Sequence, residues 1–184
     1  MIWNNHNNLK GSHAFLSASD YHWINDTDEK LKNRWTSYNA RMRGTRLHDL
    51  AEQLIREKIK LPRSKSTLNQ YVNDAIGYDM TPEQTLFYSE NCFGTADAIC
   101  FKNNLLRIHD LKTGKTPASM NQLIIYTALF CLEYKIKPGE IKVELRIYQN
   151  DEVTIYEPTA EDIAPIMSKI QSFDKLIKKF KQEV

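Results

Sequence analysis

Apolar residues recur along this chain with two distinct periods, and the periods divide it into elements. Over about Thr45 to Ile59, Leu47, Leu50, Ala51, Leu54 and Ile55 come at steps of three and four, which predicts a helix with one buried face and Gly44 at its start. A shorter helix through Trp23-Ile24 is expected upstream, with Ser17 or Ser19 as its cap. From Leu61 to Ile76 the pattern fades into Ser, Asn and Lys around Pro62, which predicts a loop or insertion within one domain. Period two then takes over. Phe87-Tyr88 leads into a strand over Phe93 to Phe101, Asn103-Asn104 reads as a tight turn, and Leu105 to Leu111 is the return strand. A helix is expected over about Pro117 to Tyr134, carried by Leu123, Tyr126, Thr127 and Phe130. Ile141 to Tyr148 and Val153 to Tyr156 pair through a turn at Asn150-Asp151. A last helix covers about Thr159 to Phe180, with Ile163, Ile166, Ile170, Phe173 and Ile177 facing inward.

The order is helices, three strands, helix, two strands, helix. It predicts an α/β fold, a central mixed β-sheet with helices on both faces. One domain over 1–184 is expected: N-terminal helices in 12–60, a core hairpin and helix in 85–134, and C-terminal strands and helix in 141–184. Composition agrees, since 41% apolar and 26% charged residues suit a packed core. The net charge of +2 excludes a chain that holds nucleic acid by bulk charge alone, but not a local basic patch. Cys92, Cys100 and Cys131 are odd in number, widely spaced and without a CxxC pair, so they are expected to be small core residues. No apolar run approaches the roughly 20 residues that span a bilayer, and Met1-Ile2-Trp3-Asn4-Asn5-His6 lacks the pattern of a secretory signal. The expected location is a reducing cytoplasm, without membrane attachment.

The chemistry concentrates on the central hairpin. Asp97 and Asp110 lie on adjacent strands in apolar surroundings, where a carboxylate is costly unless it is paired or metal-bound. Because strand side chains alternate, Asp110 and Lys112 share one face and Leu111 takes the other. A divalent cation between the carboxylates would remove their repulsion, and oxygen ligands suit Mg²⁺ or Mn²⁺. Taken alone, Asp110-Leu111-Lys112 reads as an ordinary ion pair on a solvated strand face, because such a triplet is common by chance. Gln122 and Tyr126, four apart, share one face of the next helix and offer an amide and a hydroxyl to a phosphate oxygen or a water. His48 lies between Leu47 and Leu50, a core histidine unless its helix crosses the open end of the hairpin.

The segments Gly94-Thr95-Ala96-Asp97-Ala98-Ile99, Ile108-His109-Asp110-Leu111-Lys112-Thr113-Gly114-Lys115 and Gln122-Leu123-Ile124-Ile125-Tyr126 resemble the PD-(D/E)xK nuclease superfamily. The nearest resemblance is to its RecB-like and phage exonuclease branch. Leu16-Ser17-Ala18-Ser19 resembles that branch's helix-start motif, and Gly44-Thr45-Arg46-Leu47-His48-Asp49-Leu50-Ala51-Glu52 its first motif. The resemblance spans about Leu16 to Tyr134 and implies a restriction-endonuclease-like core. It implies that His48, Asp97, Asp110 and the backbone carbonyl of Leu111 hold Mg²⁺ or Mn²⁺. Lys112 would then position or deprotonate water, and Gln122 and Tyr126 would orient the phosphate or nucleophile. The four cysteines that bind an iron–sulfur cluster in CRISPR-linked members are missing, so no cluster is expected.

Two further acids are candidates for support: Glu52, one turn after His48, and Glu90, ahead of the Asp97 strand. Basic residues gather around the His48 helix, eight against three acids between positions 41 and 65. Arg41, Arg43, Arg46 and Lys115 are the expected DNA contacts, with a solvated helix face as the bland alternative. Trp23, Trp35 and Tyr38 could stack on an unpaired base or pack in the core. The expectation is a metal-dependent deoxyribonuclease, an exonuclease by resemblance. A homo-oligomer and a single-strand annealing or recombination partner are compatible with it, as is a host cytoplasm for a phage-encoded chain. The rival is a nuclease-fold module that binds DNA or protein without turnover.

Overall fold

The computed structural model describes residues 4–183. The chain divides into two compact units, Met1–Thr45 and Arg46–Val184. Helix α1 (Asp28–Arg56) has residues in both. The second unit holds α2 (Thr67–Gly77), β1 (Thr81–Ser89), β2 (Cys92–Lys102), β3 (Leu105–Leu111), α3 (Asn121–Tyr134), β4 (Lys142–Gln149), β5 (Glu152–Tyr156) and α4 (Ala160–Phe180).

In the first unit the hydroxyls of Ser17 and Ser19 bond each other at 2.7 Å and cap nothing. The short helix there is a 3₁₀ turn, Tyr21–Asn25, which starts after Asp20. The Trp23 indole donates to the Ser17 carbonyl at 2.8 Å. Arg34 pairs with Asp20 and Asp26. Phe15, Trp35 and Tyr38 form an aromatic cluster, with Trp35 and Tyr38 stacked at 5.7 Å and Trp35 half exposed.

The second unit is built on a five-stranded sheet in the order β1-β2-β3-β4-β5. Only β3 and β4 run parallel, joined through α3, so the sheet is mixed as expected. Two of the three hairpin turns, those of β2–β3 and β4–β5, are where the sequence puts them. Asn103, Asn104, Asn150 and Asp151 all have positive φ, which Asn and Asp tolerate and a two-residue turn requires. Helices cover both faces. On one, Leu123, Ala128, Leu129 and Phe130 of α3 and Ile163 of α4 pack against Leu106, Ile108, Val143, Leu145 and Ile147. On the other, Ala51 and Ile55 of α1 and Tyr71, Val72 and Ala75 of α2 pack against Ala98, Cys100, Leu111 and Tyr148. Each fully buried aliphatic side chain in these layers contributes about 1.5–3 kcal/mol.

Several expectations need correction. The expected loop over 61–76 contains α2, whose Leu68, Tyr71, Val72, Ala75 and Ile76 recur at helical steps beneath a polar, Ser- and Asn-rich surface. The His48 helix begins at Asp28, so Gly44 is a buried mid-helix residue and not a helix start. Leu50 is 43% exposed, because the inward stripe is Ala51 and Ile55. Helix α3 starts at Asn121, four residues later than expected. In α4, Ile163, Ile166 and Ile170 face inward while Phe173 is exposed. Cys100 and Cys131 are buried and Cys92 is half-buried.

Strand β1 is longer than its Phe87-Tyr88 signal. Pro82 masks its start, since proline has no N–H for a ladder and is tolerated only at an edge, which is where β1 lies. Farther along β1, the Phe87 amide donates to Glu133 Oε2 of α3 at 2.8 Å. Among the described residues, no helix is long and apolar enough to cross a membrane.

Candidate functional site

The β2–β3 ladder runs from Lys102 opposite Leu105 to Ala98 opposite His109, and stops there. The next step would set Asp97 against Asp110, and like charges directly opposite repel. Instead the Asp97 side chain turns in, and its Oδ2 accepts the Leu111 amide at 2.8 Å. Strict alternation fails at the same point: Ala96 and Ile99, three apart, pack on one face while Ala98 packs on the other. On the other side of Asp97, Pro82 pairs with Ala98 and Gln84 with Ala96, but Glu83 between them has φ 49°. A left-handed glutamate inside a strand is strained, and such strain persists where the surroundings fix it.

These departures bring three ligand groups together. His48 from α1, Glu83 from β1 and Asp97 from β2 each offer one ligand atom, all within 4.8 Å of one another. His48 Nδ1 lies 3.5 Å from Asp97 Oδ2. His48 is therefore not a core histidine; its side chain is partly exposed beside a carboxylate. Burial first, and the charge of Asp97 second, push the Glu83 acid above the ordinary carboxylate range, with His48 opposing. One imidazole nitrogen and two carboxylate oxygens at this spacing could hold a metal ion.

Asp110 is not one of the three, but it adjoins them electrostatically. It is 1% exposed, and burial first and Asp97 second raise its pKa, while Lys112 and His48 act against the rise. Its Oδ1 accepts Lys112 Nζ at 3.0 Å, as expected for side chains two apart on one strand face. Its Oδ2 is buried and has no hydrogen-bond partner among the described residues. An orphaned buried carboxylate oxygen is costly, and a cation beside it would remove that cost.

Lys112 links this acid to α3. Its Nζ also donates to Gln122 Oε1 at 2.9 Å, and Gln122 Nε2 donates to the Tyr126 hydroxyl at 3.0 Å. Asp110, Lys112, Gln122 and Tyr126 thus form one continuous hydrogen-bonded row. Burial raises the pKa of Tyr126, keeping it a neutral phenol. Gly94 makes room for it: a Cβ on Gly94 would lie 2.9 Å from Tyr126 Cε1. In the sequence Gly94 stands out only as part of a motif; its reason is this close approach.

The other expected residues are placed less centrally. Leu111 takes part through its N–H, which holds Asp97. Glu52 pairs with Arg56 at 2.8 Å, and its charge is among those raising Glu83. Glu90 is not brought to this group: it sits in the turn closing β1 and β2, roughly 20 Å along the strand from Glu83 at 3.3 Å per residue. Arg46 and Lys115 are exposed residues of the second unit, and Arg41 and Arg43 are exposed residues of α1 in the first. Glu83 was missed in the sequence. Pro82 hid its strand, and no residue pattern announces its left-handed backbone.

No protein-family model matches this chain, and no curated protein matches it.

Proposed function

We propose that this chain is a metal-dependent nuclease that hydrolyses phosphodiester bonds in DNA. One observation supports the reading most: a histidine, a glutamate and an aspartate converge within 4.8 Å beside a buried Asp110 whose free oxygen lacks a partner. The resemblance to the PD-(D/E)xK superfamily supports it too, because the sequence motifs by themselves single out His48, Asp97, Asp110, Lys112, Gln122 and Tyr126.

His48, Glu83 and Asp97, with Asp110 adjoining, would hold Mg²⁺ or Mn²⁺, the hard cations that carboxylate-rich sites with one imidazole suit. When bound, such an ion supplies Lewis acidity and a water of lowered pKa. The protein supplies the rest. Lys112, held between Asp110 and Gln122, keeps a positive charge where phosphate oxygens gain negative charge. Gln122 and Tyr126 present an amide and a hydroxyl to the same region, already fixed by their mutual bond. Arg46 and Lys115 would meet neighbouring phosphates. Exonuclease action in DNA processing or recombination follows from the resemblance to end-processing enzymes.

The test is Mn²⁺ with end-labelled linear DNA and a covalently closed circle. Loss of label from the linear substrate, abolished in Lys112→Ala, is expected. Cutting by Lys112→Ala at the wild-type rate would refute the assignment. Mn²⁺-independent DNA binding without cutting would favour a silent module.

A further inference from the structure

The segment between Lys112 and α3 has no secondary structure of its own, yet one side chain ties it down. Gln149 is the last residue of β4. Its Nε2 donates to the carbonyls of Gly114 at 2.6 Å and Thr116 at 2.8 Å, and its Oε1 accepts the Ala118 amide at 3.1 Å. Both amide protons and the amide oxygen are used on one short loop. Asn150 adds a longer contact to the Lys115 carbonyl, at 3.5 Å.

The frame that carries Gln149 is itself anchored. The Lys112 amide donates to the Tyr148 carbonyl at 2.9 Å, so β4 and the start of the loop are joined directly. Asp151, two residues after Gln149, accepts the Thr67 amide at 2.8 Å and hydroxyl at 3.0 Å, tying the β4–β5 turn to α2. Gln149 thus transfers the rigidity of the sheet to a loop that begins at Lys112 and ends just before Gln122.

Resting on the nuclease reading above, we propose that Gln149 is a positioning residue that shapes this loop so that Lys115 contacts a DNA phosphate beyond the one being cut. Two features point this way. The carbonyl oxygens of Gly114 and Thr116, which would repel a phosphate, are occupied by Gln149. Lys115 lies between them, exposed and three residues from Lys112. A lysine on a free loop would lose most of its binding in ordering the chain, whereas a lysine on a stapled loop keeps it.

The experiment is DNA binding by fluorescence anisotropy with Ca²⁺ replacing Mn²⁺, over a series of salt concentrations. Wild type, Lys115→Ala, Gln149→Met and the double variant are compared. Losing one phosphate contact should lower the slope of log affinity against log salt by about 0.9. Lys115→Ala and Gln149→Met should each show that loss, with affinity down roughly ten-fold, and the double variant should bind no worse than the weaker single. Melting curves check folding. If Gln149→Met does not fold, Gln149→Glu keeps the size and the acceptor but loses both donors, and carries the same expectation. A wild-type slope in the Gln149 variant or in Lys115→Ala, or additive losses in the double, would overturn the inference. Wild-type protein that neither binds DNA nor cuts it with Mn²⁺ would instead overturn the reading beneath it.

Discussion

Asp97 accepts the amide of Leu111 at 2.8 Å, across the point where the β2–β3 ladder ends. A side chain thus takes over a bond that backbone would otherwise make. The two strands part without orphaning that amide, and the gap holds two acids that a regular ladder would have set face to face.

Glu83 is the residue this gap recruits from β1. Glu83→Gln keeps the shape and removes the charge. Mn²⁺ affinity should fall by about ten-fold or more. Calorimetric titration of the metal checks it, and unchanged affinity would remove Glu83 from the ligand set.

Asp110 should show a conflict between stability and activity. Its pKa is raised, burial being the main cause, so its charged form costs folding energy near neutral pH. That cost fades as pH falls and the group takes up its proton. Asp110→Asn should therefore be more stable than wild type without metal at pH 7, by about 1 kcal/mol. The gap should narrow at pH 5, and cutting should fall by about 1000-fold. Calorimetric melting at both pH values, alongside a nuclease assay, measures this.

Gly94 should be intolerant of any side chain. A Cβ there meets the Tyr126 ring at 2.9 Å, so Gly94→Ala must push the ring and loosen its bond to Gln122. A cost of about 1–3 kcal/mol is expected, together with lost activity. Adding Tyr126→Ala should recover the stability but not the cutting, as thermal denaturation and turnover would record.

His109 should dominate the acid side of the stability curve. It is fully buried, and desolvation first, then Arg146 and Arg107, lower its pKa from 6.5 to about 3. The unfolded chain binds this proton below about pH 6.5 while the folded one does not until about pH 3. Stability is thus full above that window and falls as pH drops through it, by up to about 1.4 kcal/mol per pH unit. Its ring meets Tyr148, which donates to Asp74 of α2, so the cost is built into the seam between sheet and helix. Urea titrations from pH 7 to pH 4 should show a shallower slope in His109→Asn.

The sequence was most legible where local chemistry and tertiary structure agree. Thr159 and Asp162 form a reciprocal cap that starts α4 where expected, and paired Asn and Asp residues mark two of the three hairpin turns, those of β2–β3 and β4–β5. The Asp110–Lys112 pair follows from period two alone. It was least legible where one signal masked another. The polar surface of α2 hid a stripe ending in Ala75 and Ile76, and the start of α1 is polar from Asp28 to Lys30. Glu83 needed a left-handed backbone between the Pro82–Ala98 and Gln84–Ala96 pairs, which no local residue pattern announces.

The outer strand β1 has a consequence for the company this sheet can keep. Pro82 brings no donor to that rim, and the amide of Phe87 is already engaged by Glu133. An incoming chain seeking to extend the sheet there would find two sockets closed and a carboxylate in its way, so the fold discourages edge-to-edge aggregation on that border.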